Sequence, residues 1–213
     1  MGSGKASAEG IRRYIVKSFR EDPLVMTAET AGSQRAVGDA IATRIRQRVA
    51  ERFSAVEPRS HEDSRAMADF YFKNAVAETY HVNVITRRKS ATLNQPNITS
   101  IRRLAALYQK RTDVFALMLV SYTVKNRGVV VSKVQLFRIE HLSWFNLSIG
   151  ALGWGQLQLK GLDDLDVCTS RERKDWLRTF AVEVDHFYLS QHSRVMEQRK
   201  IVLKMLEEEE KTP

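Results

Sequence analysis

Residues 67–73 read Met-Ala-Asp-Phe-Tyr-Phe-Lys, and residues 80–86 read Tyr-His-Val-Asn-Val-Ile-Thr. Two short runs rich in aromatic and β-branched residues, joined by a brief polar segment, predict neighbouring strands over 67–73 and 79–86. The first opens on an acid, Asp69. Side chains alternate along a strand, so Asn83 and Ile85 leave the second from one face. A carboxylate between Met67 and Tyr71 is costly if it stays unpaired, which makes Asp69 a candidate cation ligand. The ordinary alternative is a strand-edge Asp that caps a turn.

Outward from this pair, residues 35–53 carry Val37, Ile41, Ile45, Val49 and Phe53 every four residues, the stripe of an amphipathic helix. Arg44, Arg46, Arg48 and Arg52 fall between them and read mostly as a solvated face. Residues 57–65, with Pro58 and many charges, read as a loop. Thr99 or Ser100 can cap a helix bearing Ile101, Leu104, Leu107 and Tyr108. Residues 113–124 are almost continuously apolar, as in a central strand covered on both faces. Residues 125–128 read as a turn and 129–139 as a further strand. In 148–160, three glycines precede a strand with Trp154, Gln156 and Gln158 on one face. Those glycines lead into a strand and not a helix, which argues against a nucleotide-binding loop. From Thr169, with Glu172 completing a capping box, the chain reads as helix to about residue 210. Its stripe is Trp176, Phe180, Val184 and Phe187. So long a helix either breaks near 191–193 or leaves the body to meet a partner chain.

Composition bounds the reading. The 213 residues suit one domain, and 43% hydrophobic with 28% charged residues is ordinary for a globular chain. No apolar run reaches the roughly 18 residues of a membrane helix. The first ten residues lack the apolar core of a signal peptide, so a cytoplasmic location is expected. The single cysteine, Cys168, excludes an internal disulfide and a cysteine-rich zinc site. His81, His141, His186 and His192 show no metal-ligand spacing. A net charge of +9 favours a polyanionic partner, most often nucleic acid. The basic run Arg87, Arg88 and Lys89 supplies phosphate contacts. It is followed by Asn94, Gln95, Asn97 and Thr99, which can read base edges, and by Arg102 and Arg103. Gln156 and Gln158, beside Trp154, can pair with adenine edges from one strand face.

The order helix, strand, strand, helix, buried strand, strand, long helix describes an α/β fold, a mixed central sheet flanked by helices. Several stretches match a known pattern: Arg35-Ala-Val-Gly-Asp-Ala-Ile, Asp69-Phe-Tyr-Phe, His81-Val-Asn-Val-Ile-Thr, Gln95-Pro-Asn-Ile-Thr, the buried strand and the glutamine strand. On these residues the stretch 35–209 resembles the type II restriction endonucleases of the PD-(D/E)xK superfamily, and most the SwaI-like group that cuts long AT-rich palindromes. The resemblance implies a single nuclease-like domain over 35–213, with 1–34 as an N-terminal extension and a C-terminal helical element for dimerisation. It implies Mg²⁺-dependent cleavage of double-stranded DNA by a homodimer, with palindromic sites matched by two-fold symmetry.

In that family two acids hold the metal, and a lysine two residues after the second orients the attacking water. Carried over residue by residue, Asp69 is the first acid, Asn83 takes the place of the second, and Ile85 takes the place of the lysine. Asp69 and Asn83 are thus the expected metal ligands, and Asp69, Asn83 and Ile85 the catalytic positions. Glu78, Asp39 and Glu29 are candidates for the missing second acid, and Lys73 or Arg87 for the missing cation. An isoleucine cannot orient water, so the chain is expected to be inactive or impaired. Two rivals stay open, a non-cleaving DNA-binding protein on the same scaffold and a basic RNA-binding or assembly protein.

Overall fold

The computed structural model describes residues 7–53, 56–58, 67–89, 95–150, 155–161 and 164–209. Helix α1 (Ala8–Glu21) opens at Ser7, whose hydroxyl accepts from the Gly10 amide. It leads through β1 (Leu24–Val25) and α2 (Ala28–Gly32) to α3 (Gln34–Arg52). Strands β2 (Val56–Pro58), β3 (Phe70–Lys73) and β4 (Thr79–Arg88) follow, then β5 (Asn97–Ser100) and α4 (Ile101–Tyr108). Next come β6 (Asp113–Lys125), β7 (Gly128–Arg138), a 3₁₀ turn at Ile139–His141, β8 (Leu147–Gly150), β9 (Gln156–Leu159) and α5 (Arg173–Glu209).

The main sheet has the order β1-β7-β6-β4-β3-β2, and β4 with β6 is its parallel pair. β6 is the central strand that its apolar run predicts. Its alternation divides the interior in two: Val114, Ala116, Met118 and Val120 face α1 and α3, while Phe115, Leu117 and Leu119 face α4 and α5. The β6–β7 turn holds Asn126 and Arg127 at φ 49° and 63°, the pair of positive angles that a two-residue hairpin demands. On the second face a small antiparallel sheet, β5-β9-β8, lies under α4 and α5.

Several expectations change. Residues 1–34, expected as an extension, carry α1, whose Ile11 and Ile15 are fully buried and whose Phe19 is nearly so. Burying each such side chain is worth about 1.5–3 kcal/mol, a sum comparable with the net stability of a domain, so α1 belongs to the core. The arginines of α3 are not a uniformly solvated face. Arg48 is buried and donates to the Ser18 carbonyl at 2.6 Å, tying α3 to α1, and Arg44 pairs with Asp22. β1, β2, β5 and β8 are strands that the sequence pattern does not predict, and β2, paired with β3, takes Glu57 and Pro58 out of the expected loop. The α4 cap is Ser100, whose hydroxyl accepts from the Arg103 amide at 3.3 Å. α5 opens at Arg173, after the expected capping box, and runs unbroken through 191–193. Among the described residues no helix is long and apolar enough to cross a membrane.

Candidate functional site

Strand β3 ends its pairing with β4 at Phe70, opposite Val82, so among the described residues no strand covers that edge of β4 from Val84 onward. An uncovered edge leaves backbone donors without partners. Asp69 sits where the cover stops: its amide donates to the Val82 carbonyl at 2.7 Å, and its Oδ2 accepts from the Val84 amide at 2.7 Å. Asp69 therefore caps the edge of β4 and not the turn that its ordinary reading expects. Its Oδ1 meets the Arg46 guanidinium at 2.9 Å, and Arg46 is braced in turn by the Thr43 hydroxyl at 2.7 Å. The two side chains are only 14% and 25% exposed, so the pair is shielded from water far more than a surface salt bridge.

Helix α3 reaches this edge because Gly38 lets it. A Cβ there would stand 2.5 Å from the Thr86 hydroxyl, so a glycine is what this close approach of helix and strand accommodates. Arg35, Asp39, Thr43 and Arg46 recur at helical spacing and line one wall of an open cavity of about 650 Å³. Asp69, Asn83, Ile85 and Thr86 line the opposite wall, at the carboxyl end of a strand that runs parallel to its neighbour. Open α/β sheets bind ligands at that end. A second cavity of about 210 Å³ adjoins it and shares Asp69 and Asn83, with Thr99, Arg103 and Gln156 on its far side.

The positions expected to be catalytic thus come together. Asn83 donates its Nδ2 to the Ile98 carbonyl at 2.7 Å, which orients its Oδ1 for any ligand role. Ile85 is 7% exposed and packs in the second core, so β4 presents an alkyl group at the position where the resemblance asks for an ammonium. Of the three candidate acids, Asp39 lines the cavity. Glu78 lies at the other end of β4, bound to Asn74 and Arg138, and Glu29 is exposed on α2 outside both cavities. Lys73 pairs opposite Thr79, four residues along β3 from Asp69 or about 13 Å away, and Arg87 does not line the cavity either. Among the described residues lining it there is no lysine. Its cations are Arg35 and Arg46, which stay protonated and are poor bases.

The expected DNA contacts divide. Asn94 and Trp154 lie outside the described residues. Asn97 is exposed on the cavity rim and accepts from Gln158 Nε2 at 2.7 Å, while Gln158 lies over Gly150. Gln156 and Arg103 reach the smaller cavity, Gln95 and Arg102 are exposed, and Arg88 donates to the Ala31 carbonyl at 3.4 Å. Lys89 closes β4 by donating its amide to the Tyr122 carbonyl. Thr99, expected at a base edge, is instead buried, with a hydroxyl that has no hydrogen-bond partner among the described residues.

A divalent cation fits part of this arrangement. Magnesium is commonly held by one or two carboxylates with the rest of its shell from water and substrate phosphate. Asp69 and Asp39 supply two carboxylates to one cavity, and Asn83 an amide oxygen. Among the described residues no three acids, histidines or cysteines gather as an all-protein cage. Arg46 now stands on Asp69, so metal and guanidinium compete for one carboxylate. The alternation of small and polar residues in α3 signals this face, but not its partner.

No protein-family model matches the chain, and no curated protein is similar to it in sequence. Its structure is similar to that of the NlaIV restriction endonuclease, with a TM-score of 0.56 at 10% identity over 85% of this chain and 82% of that one. The likeness is one of fold: a restriction-endonuclease-like mixed sheet flanked by helices, with a long C-terminal helix.

Proposed function

We propose that the chain is a type II site-specific deoxyribonuclease of the PD-(D/E)xK kind, acting as a cytoplasmic homodimer on double-stranded DNA, and impaired as it stands. The SwaI-like specificity for AT-rich sites is part of the same reading, with Gln156 and Gln158 as the adenine-facing residues. One observation carries it: Asp39 and Asp69 open into a single cavity at the carboxyl end of β4, on a scaffold like that of a restriction endonuclease. Asp69, Asn83 and Asp39 would hold Mg²⁺, which when bound polarises the scissile phosphate and lowers the pKa of a bound water. Arg35 and Arg46 stabilise charge that develops on the phosphate. Ile85 contributes no proton transfer.

The observation favouring a non-cleaving DNA-binding protein is specific too, since Ile85 replaces the lysine and Arg46 already neutralises Asp69. One substitution separates the two readings. Ile85→Lys puts an ammonium on the cavity wall, where the long stem can lie over the core and the head reach water. Proton-transfer help of this kind is worth about 10² to 10⁴ in rate. The variant is expected to cut duplex DNA at discrete sites with Mg²⁺, and Asp69→Ala added to it to abolish the cutting. An Ile85→Lys protein that binds duplex DNA and stays inert makes the scaffold a binder. If the unaltered chain cuts at a comparable rate, the reading of Ile85 fails.

A further inference from the structure

Helix α5 extends far beyond what its anchors need. Trp176, Phe180, Val184 and Phe187 pack it on the body, all in its first half, yet its 37 residues span about 56 Å. From Val182 onward it carries large apolar side chains in water: Val182, Leu189, Met196 and Leu203 are 52%, 59%, 36% and 41% exposed, each seven residues from the last. Val195 and Val202, 59% and 53% exposed, form a second row with the same interval. A seven-residue interval keeps a row on one side of a helix, so the two rows border one stripe. Between them, also at that interval, stand three exposed polar residues, Asp185, His192 and Arg199.

We infer that this stripe pairs with the same stripe of a second copy, in antiparallel orientation, with the two-fold axis crossing at His192. The arrangement deepens the homodimer of the proposed function and rests on it. An apolar stripe of this length is unusual on a monomer and marks an interface. Its central charges choose the direction. Asp185 and Arg199 stand equally far from His192, on opposite sides. Antiparallel pairing therefore places Asp185 against the partner's Arg199 twice over, as an isologous contact requires. A parallel, in-register pair would set Asp185 against Asp185 and Arg199 against Arg199, and like charges across an interface oppose association. A membrane surface suits the stripe less well, because a helix lying on lipid buries a wholly apolar face and keeps its charges on the other.

Sedimentation of the full chain and of two charge variants tests this, together with cross-linking of two single-cysteine variants. Arg199→Asp is expected to weaken the dimer by at least about ten-fold, and Asp185→Arg combined with Arg199→Asp to restore it. In a Cys168→Ser background, Asp185→Cys and Arg199→Cys should each resist oxidative cross-linking alone and link efficiently when mixed. A chain that stays monomeric removes the homodimer altogether. A dimer indifferent to Arg199→Asp, or one whose single-cysteine variants link to themselves, keeps the homodimer and overturns the arrangement. Flotation with anionic phosphatidylserine vesicles in place of dimerisation would assign the stripe to lipid and overturn it as well.

Discussion

Among the described residues the Asp69 carboxylate has two partners, the Val84 amide at 2.7 Å and the Arg46 guanidinium at 2.9 Å. A hydrogen bond to a charged group in a shielded site is worth about 1.5–3 kcal/mol, and 1.4 kcal/mol is a factor of ten in affinity. A divalent cation that must displace Arg46 loses affinity on that scale. Arg46→Met keeps the apolar stem and removes the charge, so it is expected to bind Mn²⁺ about ten-fold more tightly than the parent, by calorimetric titration without DNA. Asp69→Asn should remove the binding from both backgrounds. Equal affinity in parent and Arg46→Met would show that the guanidinium does not guard the carboxylate.

At the scale of elements, the start of α5 lies against a buried acid. Glu140, in the Ile139–His141 turn, is 1% exposed, and the first residue of α5, Arg173, lies 3.8 Å from its carboxylate. Arg173 is also held by the carbonyls of Arg111 and Lys110 and stands 4.4 Å from the centre of the Tyr108 ring. Burial raises the Glu140 carboxyl pKa above its ordinary value, although Arg173 pulls it down. A group whose folded pKa lies above the unfolded one adds stability that is complete below the unfolded value and is lost as pH rises through the folded one. Glu140→Gln is neutral at every pH and escapes that loss, and Arg173 keeps its carbonyl partners. The variant is expected to melt higher than the parent at pH 8, by about 1 kcal/mol or roughly 2–4 °C, and to match it near pH 4. A variant less stable at pH 8 would mean that the ionised pair holds α5 in place.

For the whole molecule the decisive quantity is charge. A chain at +9 with a cavity walled by Arg35 and Arg46 should attract duplex DNA chiefly through phosphate. Each phosphate neutralised adds about −0.9 to the slope of log affinity against log salt. Gel-shift titrations from low to physiological salt should therefore show a steep, linear loss of duplex binding. Affinity that ignores salt, or a preference for single-stranded RNA, would remove the DNA reading and favour a basic RNA-binding protein.

Read alone, the chain determined its strand pair, its buried central strand, the helix of 35–53 and the long C-terminal helix. Period-two and period-3.6 patterns depend on near neighbours, and those segments are long enough to show them. It also placed Asn83 and Ile85 on one face, since strand alternation is local, whereas the pairing of β3 with β4 brought Asp69 beside them. The four-residue strands β5 and β8 are too short for a pattern to declare itself, and only pairing with β9 makes them strands. Tertiary structure also decided which polar groups meet. Arg46 and Asp69 stand 23 residues apart, and nothing in either neighbourhood selects the other. Helical periodicity assigns Arg46 to a face, but the packing of α3 on β4 at Gly38 decides that this face looks at Asp69 and not at water. The same packing brings in Asp39 and leaves Glu78 and Glu29 outside. A long-range contact is chosen by the shape of the packed elements, which no stretch of neighbouring residues contains.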